Sequence, residues 1–253
     1  MRNILLTIAY DGTNYSGWQV QPNGITIEEK LQIAFRRMDG SKVKIIGSGR
    51  TDARVHAMGQ RASVVLNSTV PTERIPYALN AKLPEDIVVK DAIEVPMDFH
   101  ARYDALGKTY RYRLYFGEFQ DPIGRNYHYH VTHNINMAKL KEALGIFKGT
   151  HDFKGFMASG SSVKATVRTI DHVALHSIQE NTFDIFISAN GFLYNMVRII
   201  IGSIVDVAKG KIPLKQLADA LETQNRSLAG HTAPPQGLFL EEVRYRLNQG
   251  EKQ

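Results

Sequence analysis

Thr26-Ile27-Glu28-Glu29-Lys30-Leu31-Gln32-Ile33-Ala34-Phe35-Arg36-Arg37-Met38-Asp39-Gly40 carries a start, a buried face and a stop for one helix. Thr26 and Glu29 have the spacing of a capping box, in which a hydroxyl accepts an amide proton of the first turn and a carboxylate reaches back from three residues on. Leu31, Ala34, Phe35 and Met38 recur at the interval that places them on one side of a helix. Gly40 can adopt the backbone that ends it. Outward from this helix the pattern changes. Residues 2–10 read as a strand, and Asp11 to Gly24 as a turn-rich segment holding the only tryptophan, Trp18. Beyond the helix, Val43 to Ile46 and Ala62 to Leu66 are apolar runs suited to buried strands, separated by a loop from Gly47 to Gly59. A helix through Ile75 and Leu79 and a strand through Ile87, Val88 and Val89 complete the order β-α-β-β-α-β, the ferredoxin-like split motif.

The second half repeats that order. A strand Lys108 to Phe116 precedes a helix with Met137, Leu140, Leu144 and Phe147 on one face, then two strands near 166–176 and 183–190. A helix from 193 to 209, a shorter one from Leu214 to Leu221 behind Pro213, and a last strand Leu238 to Tyr245 finish it. The expected class is α/β (α+β), built from two ferredoxin-like halves, residues 1–104 and 105–253. The connection Gly117 to Ile135 is rich in His, Tyr, Asn and Gly, and its length suits a functional loop.

Composition narrows the function classes. At 253 residues with 43% hydrophobic and 22% charged, the chain reads as globular, neither disordered nor fibrous. The start, Met1 to Thr7, has one basic residue, a short apolar run and no small-residue cleavage site, so a cytoplasmic protein is expected. Phe192 to Ala208 is the most apolar stretch, but Asn195, Arg198 and Asp206 interrupt it, which argues for a buried helix and against a membrane span. The absence of cysteine excludes disulfides, thiolate metal sites and thiol catalysis. A formal charge of +6 and a pI near 9.4 favour polyanionic partners, although a solvated basic surface would give the same numbers.

The richest loop is Gly47-Ser48-Gly49-Arg50-Thr51-Asp52-Ala53-Arg54-Val55-His56-Ala57-Met58-Gly59-Gln60. On residue types alone it is either a hairpin loop with solvated charges or a backbone bent tightly to present an acid, two arginines and a histidine to a cleft. No Gly-x-Gly-x-x-Gly or Walker pattern is present, which disfavours dinucleotide and ATP sites. His128, His130 and His133 have a spacing that could chelate zinc. No carboxylate accompanies them at ligand spacing, so contact with RNA or water is expected in place of a metal. His56 reads as a loop brace.

The signature Gly49-Arg50-Thr51-Asp52-Ala53 followed by Val55-His56-Ala57 resembles the catalytic motif of the tRNA pseudouridine synthase A family. Four further matches follow in the family's order. Tyr10-Asp11-Gly12-Thr13 with Gly17-Trp18-Gln19 comes first, then Phe99-His100-Ala101-Arg102 with Lys108-Thr109-Tyr110-Arg111-Tyr112. Phe192 to Arg198 and Gly237-Leu238-Phe239-Leu240 come late in the chain. The resemblance implies a pseudouridine synthase fold, with a largely antiparallel mixed sheet, helices on one face and a central cleft. It implies Asp52 as the catalytic carboxylate, with its role open between attack on the sugar, addition to the base and removal of a sugar proton. Arg198 resembles the arginine that pairs with this aspartate, Tyr110 the tyrosine that stacks on the uracil, and Leu238 the apolar residue packed on the base. Arg50 would fill the place of the extruded uridine, and Lys108, Arg111 and Arg113 on a Tyr-rich strand would hold phosphates. No cofactor or metal is implied. The implied partner is the anticodon arm of tRNA, modified at positions 38–40, bound by a homodimer.

One position departs from the family. Arg54 stands where the signature has glycine, and if that backbone needs positive φ, arginine costs on the order of 1 kcal/mol there. An outward-pointing Arg54 would add a phosphate contact and narrow the choice of tRNA. Two rivals share these residues. One is an RNA-binding protein of the same fold without catalysis, the other a metal-dependent nuclease or phosphoesterase using Asp52, His56 and the His-rich loop.

Overall fold

The computed structural model describes residues 1–132, 135–160 and 163–247. The chain packs as two compact units, one from Met1 to Gly107 joined by the segment that starts at Phe239, the other from Lys108 to Leu238.

The first unit runs β1 (Arg2–Tyr10), α1 (Ile27–Asp39), β2 (Ile45–Gly47), β3 (His56–Leu66), α2 (Ile75–Asn80) and β4 (Ile87–Val95). Its strands lie in the order β4-β1-β3-β2, each neighbouring pair antiparallel, which is the split motif expected. The helix quoted at the outset forms between the expected ends, with the hydroxyl half of the capping box in place. The Thr26 hydroxyl accepts from the Glu29 amide at 3.4 Å, and Gly40, at φ 80°, donates its amide to the Arg36 carbonyl. In β1, Ile4, Leu5 and Leu6 are all fully buried. Since successive strand residues point to opposite faces, both faces of this strand are covered. Leu5 packs with Val95, Ala101, Phe99 and Tyr245.

The second unit contains β5 (Ala105–Phe116), β6 (Tyr129–Val131), α3 (Met137–Gly145), β7 (Gly149–Asp152), β8 (Val167–Gln179), β9 (Thr182–Ala189), α4 (Met196–Ala208) and α5 (Leu214–Glu222). Its strand order is β5-β9-β8-β7, antiparallel throughout, with β6 parallel to β5. Tyr112, Leu114, Ile185 and Ile187 form a fully buried face, and α4 packs against α3 and α5. Every residue of α4 is buried except Arg198. No helix among the described residues is long and apolar enough to cross a membrane.

The boundaries differ from the sequence reading in ways that have causes. β3 begins at His56, so the loop is Ser48–Val55, shorter than expected. Gly59 lies inside the strand, where a Cβ would strike the Glu241 carbonyl; it permits close approach of β10 (Leu238–Tyr245) and makes no turn. β10 runs parallel to β3 through Phe239 opposite His56 and Leu240 opposite Ala57. α4 starts at Met196 because Asn195 takes a left-handed backbone, φ 59°, which asparagine tolerates better than other side chains bearing a Cβ. Two short strands, β6 and β7, carry no periodic signal of their own and exist only through pairing with β5 and β8.

Candidate active site

Asp52 sits at the middle of the Ser48–Val55 loop and is half-buried. Its neighbours are fixed on both sides. The Trp18 amide donates to the Thr51 carbonyl at 3.1 Å, the Thr51 hydroxyl bonds the Tyr10 phenol at 2.8 Å, and the Arg54 amide donates to the Tyr15 carbonyl at 3.2 Å. The Val55 amide closes a turn onto the Asp52 carbonyl at 3.2 Å. At the loop's entrance the Ser48 hydroxyl donates to Gln60 Oε1 at 2.7 Å, and Gln60 Nε2 donates to the Gly49 carbonyl at 3.0 Å. Burial pushes the Tyr10 phenol far up its titration range, so it stays a neutral hydroxyl. Six hydrogen bonds, four of them to loop backbone, hold this segment, unlike a solvated hairpin.

Two glycines outside the motif make the clamp possible. A Cβ on Gly12 would collide with the Val55 carbonyl, and Gly17, at φ 95°, would bring one to 2.5 Å from the Thr51 carbonyl. The turn-rich segment Asp11 to Gly24 therefore serves as the wall against which the Asp52 loop is pressed. His56 braces the same junction. It is 1% exposed, stacks on Phe239 with centroids 4.6 Å apart, and places Nδ1 3.1 Å from the Gly12 amide and 3.0 Å from Asp11 Oδ1.

The arginines beside Asp52 differ from it in exposure. Arg50 is exposed, with Nε donating to Gln19 Oε1 at 3.1 Å. Arg54 is exposed and has φ 65°. The backbone at this position is thus the left-handed one in which glycine is comfortable and arginine is strained by about 1 kcal/mol.

The remaining candidates belong to the second unit. Tyr110 on β5 is 9% exposed and meets the edge of Phe192 at 5.0 Å and 88°. Arg198 lies in the first turn of α4; its Nε donates to the Ala233 carbonyl at 2.8 Å and its Nη1 to Asn195 Oδ1 at 2.9 Å. Leu238 is 6% exposed at the start of β10. Lys108 is half-buried and shares the Tyr110 face of β5. Arg111 and Arg113 point to the other face, where Asp184, directly across from Arg113 on β9, receives both. Arg113 is bidentate, Nε to Oδ1 at 2.7 Å and Nη2 to Oδ2 at 2.8 Å, and Arg111 Nη1 lies 3.5 Å from Oδ2. Asp184 is 2% exposed.

Two imidazoles of the long connection are engaged. His128 Nε2 bonds Gln120 Oε1 at 2.9 Å and His130 Nε2 bonds the Gly117 carbonyl at 2.8 Å; His133 lies outside the described residues. Burial holds the His128 imidazole below its usual range. Among the described residues there is no group of three or more His, Asp or Glu side chains able to hold a metal ion. Asp184 has no sequence signal as a site residue, because it matters through neighbours distant along the chain; the motif holding Gly12 and Gly17 is visible in sequence, but not the loop they press against.

A family model described as tRNA pseudouridine synthase matches residues 6–104 and 143–246. Relatives named tRNA pseudouridine synthase A from Acetivibrio thermocellus and Thermoanaerobacter sp. are 47% and 46% identical, each over 97% of this chain and the whole of the relative. One from Clostridium perfringens, named tRNA pseudouridine synthase A 2, is 45% identical over the same shares. Among solved structures, a Cbf5-Nop10-Gar1 complex aligns with 93% of this chain and 57% of its own at 12% identity and a TM-score of 0.38, too slight a likeness to carry weight. The extent of the family match and the near-complete alignment with these relatives place the chain in the tRNA pseudouridine synthase family.

Proposed function

We propose that this protein converts uridine to pseudouridine in the anticodon arm of tRNA, with Asp52 as the catalytic carboxylate and no cofactor. The observation that carries the reading is the Arg50-Thr51-Asp52 loop, clamped by residues of an equally motif-like wall segment, in a chain 47% identical along nearly its whole length to a tRNA pseudouridine synthase A.

The reaction breaks the bond from C1′ to N1, turns the uracil and joins C5 to C1′. N1 gains a proton and C5 loses one, so substrate and product are isomers and neither redox chemistry nor an energy source is needed. A fixed carboxylate suits each of the three roles open to it, because all require an oxygen held within reach of an enclosed nucleotide. Arg198 is the proposed partner of Asp52, where a guanidinium would keep the acid ionised and oriented. Tyr110 would stack on the uracil and Leu238 pack against it. Arg50, exposed beside Asp52, would occupy the gap left by the flipped base, whose extrusion costs a few kcal/mol. Lys108 is a proposed phosphate contact. Arg111, proposed for the same task, would have to act from its place beside Asp184. A homodimer in the cytoplasm completes the proposal.

The test is release of tritium from tRNA carrying 5-tritiated uridine. The purified protein should release label to water in the presence of EDTA and without nucleotide. Release that requires a divalent metal, or strand cleavage in place of release, would favour the nuclease reading.

A further inference from the structure

Arg198, Gly202 and Asp206 follow one another at intervals of four along α4 and so form a stripe on one side of the helix. The segment Gly230–Pro234 lies along that stripe. A Cβ on Gly202 would collide with the His231 carbonyl, and one on Gly230 would come within 2.6 Å of Ser203 Cα, so both glycines are needed for the contact.

The segment is tied down at successive residues. The Gly230 amide donates to Ser203 Oγ at 2.8 Å, while its carbonyl accepts from Arg226 Nη1 at 3.0 Å. His231 approaches Asp206 Oδ2 twice, through its amide at 3.2 Å and through Nδ1 at 2.7 Å. The Ala233 amide donates to the Arg198 carbonyl at 2.9 Å, and the Ala233 carbonyl accepts from Arg198 Nε at 2.8 Å. The Tyr112 phenol, held neutral by burial, donates to the Pro234 carbonyl at 2.7 Å. Arg198 therefore takes its side-chain direction from a peptide two residues beyond His231.

Asp206 is the anchor. It is 7% exposed, yet its carboxyl is held below the usual carboxylate range: burial pushes it up, and the two bonds from His231 with the nearby Lys211 ammonium at 3.7 Å outweigh that. On the other side of the His231 ring, Nε2 lies 3.2 Å from the Tyr129 hydroxyl, so the imidazole spans from α4 to β6.

We propose that Asp206 and His231 are positioning residues for Arg198, fixing the Ala233 carbonyl that aims its guanidinium. The inference rests on the role proposed above for Arg198. It assigns a function to an acid–histidine pair that no step of the isomerisation uses.

The experiment reads the clamp in two ways. In the first, the Arg198 Nε–H resonance, identified by its absence in Arg198→Lys, is followed by NMR. His231→Ala should shift and broaden it, and His231→Asn, whose amide can stand where Nδ1–H stands, should return it towards its original position. In the second, single-turnover tritium release is measured across tRNA concentrations. His231→Ala should lower the maximal rate by about 10-fold while the half-saturating tRNA concentration changes less than about twofold, as expected for misaimed chemistry with intact binding. In an Arg198→Lys background the same change should add less than about twofold, since residues acting through one another are not additive. Asp206→Asn is read in the same way should His231→Ala fail to fold. An unmoved resonance, or losses that multiply in the double variant, would overturn the clamp and leave the role of Arg198 standing. A moved resonance with an unchanged rate would instead overturn the role of Arg198, and the positioning function with it.

Discussion

The loop Ser48–Val55 and the strand β5 carry the same kinds of residue, arginines set among groups suited to a nucleotide, and the protein uses them differently. In the loop, Arg50 and Arg54 are exposed on either side of Asp52. On the strand, Arg111 and Arg113 face a buried carboxylate that takes three close contacts from them. The comparison separates the number of charges from their availability. An arginine that neutralises a buried aspartate has committed donors to a fixed partner, whereas exposed Arg50, which gives only its Nε to Gln19, and exposed Arg54 present guanidinium donors to solvent, where a phosphate or a displaced base can reach them.

The difference can be sharpened by substitution. Arg113→Met should have the largest effect on stability, about 2–3 kcal/mol, because it leaves Asp184 buried with only the longer contact to Arg111. Thermal unfolding would check this, and a change below about 0.5 kcal/mol would mean the strand arginines are as free as those of the loop.

Arg54→Gly should act in the opposite sense. Relief of the left-handed backbone should stabilise the fold by about 1 kcal/mol, while loss of the side chain should raise the KM for tRNA by about threefold and leave kcat within twofold, as expected for removal of one surface phosphate contact. A large rise in turnover on all tRNAs would instead mean that Arg54 obstructs the site.

The smallest effect is on salt dependence. Arg50→Ala should flatten the slope of log affinity against log salt by roughly one unit, and Arg113→Met should not change it. Equal slopes for the two variants would erase the distinction drawn here.

The helix from Ile27 and the split order of the first unit were legible because their signals are local: a cap, a face and a stop within fifteen positions of sequence, as in Thr26 to Gly40. The Asp52 motif was legible for the same reason. The pairing of Arg111 and Arg113 with Asp184 was not, since it depends on the register of β5 against β9, which brings Asp184 to Arg113, 71 positions away in the chain, and to its neighbour on the same face, Arg111. The clamp on Arg198 was hidden likewise: Asp206 and His231 are 25 positions apart, and neither lies in a recognisable motif. Gly59 misled for a different reason, because glycine serves both turns and close approaches and sequence alone does not separate them.

The central claim is that the carboxylate of Asp52, and no metal or coenzyme, drives the isomerisation. Single-turnover tritium release by Asp52→Asn and Asp52→Ala, each shown to fold and to bind tRNA as the unsubstituted protein does, tests it most directly. Both variants should release no label above background over hours, with tRNA affinity changed less than about threefold. Release by either variant within tenfold of the unsubstituted rate would contradict the account.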